Sequence, residues 1–253
     1  MPLTFAHPAA VLPLTRLRLP LSALVVGSVA PDLVYFVRLA PRGHFGHTLP
    51  GLFLFCIPAG LALLWVFDRL LKRPLAELAP ASAQRRLNDP LRRSPFDRPL
   101  AFVAVAVLLG ATTHVLWDAF THAGGWGVAL VPALRRTVSL GSLGAFPAYK
   151  LAQHGSTVFG LSALTTAAAM WWRQASQSDV HPRLSARERV LRLGLLVSVA
   201  LVVGTTYAGA VAAGAASPLP VFVGRFVVSV TSAAFVAVTA YSFWSRTRSA
   251  PAG

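Results

Sequence analysis

Five stretches of this chain are long and apolar enough to cross a bilayer, and nothing else restricts its folds as much. A crossing takes roughly 20 mostly apolar residues to span about 30 Å of hydrocarbon, and the windows Gly51–Phe67, Leu100–Phe120, Ser156–Trp172, Val190–Ala213 and Leu219–Trp244 meet that need. Backbone N–H and C=O groups in lipid must pair within their own segment, so such windows are helices. The predicted fold is all-α: a multi-pass helical membrane bundle with a short N-terminal helical hairpin and about five transmembrane helices. Residues 1–175 form a part rich in histidine and aspartate, and 176–253 add two transmembrane helices and a short basic tail. Only 12% of residues are charged. That is about half the share in a soluble domain and excludes both a water-soluble globule and a disordered chain. The single cysteine, Cys56, excludes an intramolecular disulfide.

The N-terminal stretch is not a cleavable signal peptide, because it lacks a basic start and carries Pro8, Pro13, Arg16, Arg18 and Pro20. It reads as two short helices, Pro8–Arg18 and Leu21–Val29, with Pro20 starting the second. Each is about 15 Å long and too short to cross alone. Their hairpin brings Ala6–His7 and Pro31–Asp32 to one end.

Lys and Arg number 23 against 8 Asp and Glu, for a net charge of +15. In a soluble domain this would suggest nucleic acid. Here the bases sort between loops: eight lie in 69–98, five in 173–192, and Arg246 and Arg248 in the tail. The opposite side has Arg38, Arg42, Arg135, Arg136 and Lys150. The positive-inside rule puts the richer loops and the C-terminus in the cytoplasm, and the charge reads as topology with no nucleic-acid partner. The 80–99 stretch reads as a solvated linker.

On this map six of the seven histidines fall at the extracytoplasmic ends of the spans: His7, His44, His47, His114, His122 and His154. Only His181, beside Pro182, falls in a cytoplasmic loop. Asp32 and Asp118 are the two acids that share the histidine side. Ionisable groups at membrane depth are costly and mark functional sites by default. Imidazole with carboxylate suits zinc, iron, manganese or nickel.

The sharpest unit is T-H-V-L-W-D-A-F-T-H-A-G-G-W, residues 113–126, where His114, Asp118 and His122 share one helix face. His114 and His122 are about 12 Å apart along the axis, so one ion cannot take both unless the helix ends early; Gly124–Gly125 ends it just afterwards. Asp118 bridging two ions with a histidine on either side is one solution. His47 abuts a span and reads as a ligand, whereas His44 is open between ligand, substrate contact and loop residue. Asp32 is a ligand or a helix-capping carboxylate. Lys150, Gln153 and His154 share a helical face, and Lys150 holds an anion or reaches lipid headgroups. Arg135 and Arg136 read as headgroup contacts or phosphate ligands. Trp117 and the other tryptophans near span ends read as interfacial belt residues. The chain has no H-E-x-x-H, P-loop or G-x-S-x-G motif.

Five motifs in order, P-L-T-F-A-H-P-A-A-V-L-P-L, P-L-S-A-L-V-V-G-S-V-A-P-D-L-V-Y-F, G-H-T-L-P-G-L, T-H-V-L-W-D-A-F-T-H and Y-K-L-A-Q-H-G-S-T, cover about residues 1–175. Together they resemble the bacterial membrane family of domain of unknown function 4184. More distantly the chain resembles inner-membrane proteins labelled metal-dependent hydrolases and zinc-dependent phospholipase C. The latter resemblance implies a metal histidine at His114 and a metal carboxylate at Asp118, with Asp32, His7, His47, His122 and His154 as further ligands. No Glu follows His154 at the spacing of the phospholipase histidine–glutamate pair, so one or two divalent ions, zinc foremost, are expected rather than three.

The expected function is a membrane metal-dependent hydrolase of a phosphoester or lipid headgroup, with Asp32, Asp118 and Lys150 as catalytic candidates. The alternative is a non-catalytic metal-binding membrane protein or a transporter. A third reading makes the histidines interfacial anchors. Convergence of His7, Asp32, His47, His114, Asp118 and His154 within about 8 Å separates the metal readings from the third.

Overall fold

The computed structural model describes residues 4–249. It is all-α apart from a two-stranded antiparallel ribbon, β1 (Thr137–Ser139) with β2 (Ala145–Pro147). Its helices are α1 (Leu21–Val29), α2 (Leu33–Arg38), α3 (Leu49–Leu78, with two π turns), α4 (Ala81–Arg92), α5 (Leu100–Thr121), α6 (Trp126–Leu130), α7 (Ala148–Gln174), α8 (Ala186–Ala213) and α9 (Pro218–Ser249). Among the described residues five helices are long and apolar enough to cross a membrane: Leu21–Arg38, Leu49–Leu78, Leu100–Thr121, Ala186–Ala213 and Pro218–Thr247. Leu195, Val202, Leu219 and Val236 are each more than 60% exposed. So much bare apolar surface fits lipid rather than water, and the chain is a multi-helix membrane protein.

Three local expectations change. The Ser156–Trp172 window lies in α7, whose 27 residues are long enough but carry Ser156, Thr157, Ser162, Thr165 and Thr166; it is not among the five. In its place stands Leu21–Arg38, because a 3-10 turn at Ala30–Asp32 accommodates Pro31 and lets the helix run on to Arg38. The first N-terminal segment is a 3-10 helix, Thr4–Leu17. The rings of Pro8 and Pro13 would clash with the carbonyls four residues back in an α-helix, which disfavours that winding here. The 80–99 stretch is not a linker but mostly helix α4, entered at Pro80 and rich in Ala, Gln, Arg and Leu.

The chain forms two compact units. The first gathers the segment up to Asp32, His44–Leu64 and Arg98–Gln174; the second gathers Leu33–Gly43, Trp65–Asp97 and the chain from Ala175 onward. In the first, α1 packs on α5 at bare backbone. A Cβ on Gly27 would stand 2.2 Å from the Val107 carbonyl oxygen, and one on Gly110 would stand 2.2 Å from that of Leu24. Such small-residue crossings hold helices together where lipid removes the hydrophobic drive. The 3-10 helix packs on α1, α5 and α7. In the second unit α8 and α9 pair along their length, and Ser229 donates to the Gly204 carbonyl at 2.9 Å.

Candidate metal centre

The α1–α5 crossing does more than bury apolar surface. It places the Ser28 carbonyl 2.7 Å from Nδ1 of His114, a fully buried residue. A carbonyl only accepts, so the His114 proton sits on Nδ1 and the Nε2 lone pair points the other way. There it meets Asp118 Oδ2 at 3.3 Å and Asp32 Oδ1 at 3.6 Å. Among the described residues neither His114 Nε2 nor Asp32 Oδ1 has a hydrogen-bond partner, though both are buried. Lone pairs facing lone pairs in a dry site are costly unless a cation lies between them.

His47 completes the arrangement from the loop before α3. The 3-10 turn Phe45–His47 lies against Pro31, where a Cβ on Gly46 would approach the Pro31 carbonyl oxygen to 2.6 Å. Cys56 fastens the same turn by donating its thiol to the Gly46 carbonyl at 3.3 Å, and Thr48 caps α3 by accepting from Gly51 N–H at 3.1 Å. His47 Nε2 is thereby held 3.4 Å from Asp32 Oδ1 and 3.5 Å from Asp118 Oδ2. Burial alone would lower the His47 pKa, but the Asp118 and Asp32 carboxylates facing it win and push it up to about 9.

These four separations, from 3.3 to 3.6 Å, are longer than close ion-pair hydrogen bonds and near the donor spacing around a metal. A charge-assisted hydrogen bond pairs one nitrogen with one oxygen at about 2.7–2.9 Å. Here each nitrogen stands nearly midway between the same two oxygens. Donors about 2.0–2.1 Å from one tetrahedral ion lie about 3.3 Å from each other. Asp32, His47 and His114 thus fit a divalent ion in both donor type and spacing, and Asp118 Oδ2 stands beside both ring nitrogens.

Asp118 also reaches the other histidines. Its Oδ1 lies 3.1 Å from His7 Nε2 and 3.4 Å from His122 Nδ1. His7 stacks on His114 with ring centroids 3.8 Å apart, its Nδ1 lying 3.3 Å from the Thr4 carbonyl. His7, His114 and Asp118 form one metal-competent group, and Asp32, His47 and His114 a second. Thr4 donates its hydroxyl to Asp32 Oδ2 at 2.6 Å, leaving only Oδ1 for the centre.

The structure therefore brings together His7, Asp32, His47, His114 and Asp118. His122 is a neighbour of this set and belongs to neither metal-competent group. Helix α5 stops at Thr121, so His122 leaves the helical face in an extended conformation. Its Nδ1 donates back to the Asp118 backbone carbonyl at 3.2 Å, and its Nε2 accepts from the Gln153 amide at 3.2 Å. Burial, opposed by Asp118, lowers the His122 pKa. Lys150 donates to Gln153 Oε1 at 3.1 Å, which fixes the orientation of that amide. Lys150 itself is exposed and stands outside the cluster. His154 and His44 are exposed and join neither group. Trp117, read as an interfacial residue, instead donates its indole N–H to Ser156 at 3.0 Å and ties α5 to α7.

Sequence reasoning missed Thr4, the Ser28 carbonyl and Gln153 as supports of the cluster. Only Gln153 left a signal, as an amide one helical turn beyond Lys150 in a largely apolar helix.

A sequence model of the family described as Domain of unknown function (DUF4184) matches residues 1–243. No curated protein matches the chain, and no solved structure does.

Proposed function

The chain belongs to the DUF4184 family, and we propose that it is a membrane metal-dependent hydrolase acting on a phosphoester or lipid headgroup. The observation that carries this reading is the His114 imidazole, whose Nδ1 is spent on Ser28 and whose Nε2 faces two carboxylate oxygens. His47, His114, Asp32 and Asp118 would hold one divalent ion, zinc by ligand type. His7, 3.1 Å from the other oxygen of Asp118, would help hold a second ion. A divalent ion held there supplies Lewis acidity toward a water and a phosphoryl oxygen.

The chain's own residues do the rest. Thr4 and Ser28 orient Asp32 and His114, as outer partners of metal ligands do. His47 and Asp118 are the partly exposed members, so substrate approaches on their side. Lys150 and the exposed Arg136, whose backbone carbonyl accepts from Ala148 at the start of α7, would neutralise substrate phosphate. A permeation route would need polar lining beyond the cluster. The stretches 100–110 of α5 and 57–64 of α3 carry no charged residue, which supports a site over a channel.

The asymmetry of Lys and Arg supports placement in a bacterial inner membrane with the cluster on the extracytoplasmic face and the C-terminus in the cytoplasm. Labelling of Arg42→Cys from outside the cell, with Arg187→Cys protected, is the expected pattern.

The activity test uses purified protein loaded with zinc and bis(p-nitrophenyl) phosphate or phospholipid vesicles as substrate. His114→Ala and Asp118→Ala are expected to lose about 100-fold or more of any hydrolysis. Hydrolysis unchanged in both variants rejects the assignment. Stoichiometric metal with no hydrolysis of either substrate favours the non-catalytic metal-binding reading.

A further inference from the structure

The second unit holds a different kind of site. Where α3 ends and α9 approaches its C-terminus, a cavity of about 560 Å³ is lined by six bases, among them Arg69, Arg73, Arg92, Arg183 and Arg246, against three acids. The acids are already engaged. Asp68 is buried, with Lys72 2.5 Å from its Oδ1 and the Ser94 hydroxyl 2.8 Å from its Oδ2. Asp97 accepts from the Ser94 N–H at 2.9 Å, and Glu77 lies 3.4 Å from Arg183. Among the described residues Arg73 and Arg92 form no ion pair, and both also line an adjoining cavity of about 370 Å³ that reaches His181. Two guanidiniums left without a counter-charge on a shared wall mark a place for an anion.

The position selects the anion. Arg69, Lys72 and Arg73 follow the apolar part of Leu49–Leu78, and Arg246 closes that of Pro218–Thr247. Bases clustered where two membrane helices leave the hydrocarbon stand at headgroup depth, and basic pockets at that depth bind anionic phospholipid headgroups. We propose that this cavity is a phosphate-binding site for an anionic phospholipid, with Arg73 and Arg92 as its principal ligands. It requires nothing of the metal centre.

The test measures thermal unfolding of full-length protein in phosphatidylcholine nanodiscs, with phosphatidylglycerol added in one arm and inorganic phosphate in the other. Phosphatidylglycerol is expected to stabilise the wild type. Its apparent affinity should be roughly 30-fold weaker for Arg73→Gln/Arg92→Gln, each lost base near the surface counting for a factor of about five. The charge-matched control Arg16→Gln/Arg18→Gln, at exposed positions, should respond like the wild type. Stabilisation by inorganic phosphate instead, lost in the same variant, supports the site with free phosphate as its source. Arg69→Gln, whose side chain is more than half exposed, repeats the measurement with a smaller loss should the double variant not fold. No stabilisation by either probe, or an equal response in every variant, overturns the proposal.

Discussion

Each unit buries a carboxylate, and the two are satisfied in opposite ways. Asp68 in the second unit has an ammonium on one oxygen and a hydroxyl on the other, at hydrogen-bonding distances. That pair is complete without help from outside the chain. Asp32 in the first unit has the Thr4 hydroxyl on one oxygen, but its other oxygen faces two ring nitrogens and has no hydrogen-bond partner. Burial is nearly equal, so depth does not distinguish a structural acid from a ligand. The partner does: a donor closes the site, and another lone pair leaves it open to a cation.

Substitutions test this contrast. The largest effect is expected from His114→Ala, which should abolish stoichiometric zinc after desalting and remove the loss of thermal stability that chelation causes in the wild type. Metal held a thousandfold above its Kd stabilises by about 4 kcal/mol, so that loss is readily measured by thermal unfolding. Next comes Lys72→Met, which leaves the buried Asp68 with only Ser94 and the longer Arg69 contact and should cost up to about 3 kcal/mol of stability. Elemental analysis should find its metal content unchanged; metal lost here would erase the distinction between the two acids. Thr4→Val removes the outer partner of Asp32 and should weaken zinc affinity about 10-fold or more in a competition titration, with zinc still bound.

The smallest effect is one of pH. His47 in the metal-free protein has its pKa raised from about 6.5 to about 9. Its contribution is complete below about 6.5 and is lost as pH rises through about 9. Stability of the metal-free protein should therefore fall across that window. The zinc-loaded protein, in which the ion replaces that proton, should not show this loss. Parallel pH profiles for the two forms would remove His47 from the ligand set.

Much of the cluster is legible in the sequence because lipid makes polar residues conspicuous. His114 and Asp118 stand four apart in a helix with no other ionisable residue, and Asp32 is isolated in an apolar stretch. What the sequence does not show depends on rotation and on backbone. Gln153 and His154 are neighbours on α7, about 100° apart around its axis, so only one turns inward, and it is the uncharged amide. His122 leaves the helical face because α5 ends one residue before it. The span Leu21–Arg38 was hidden by Pro31, which reads as a stop but is absorbed by a 3-10 turn. The supports at Thr4 and the Ser28 carbonyl come from contacts across 28 and 86 residues of sequence, beyond any local pattern.

The most direct measurement is zinc K-edge X-ray absorption on the purified, zinc-loaded protein. The expected spectrum has a nitrogen and oxygen shell at about 2.0–2.1 Å with outer-shell imidazole scattering from at least two histidines. A sulfur shell at about 2.3 Å, or zinc without imidazole scattering, would contradict the centre built from His47, His114, Asp32 and Asp118.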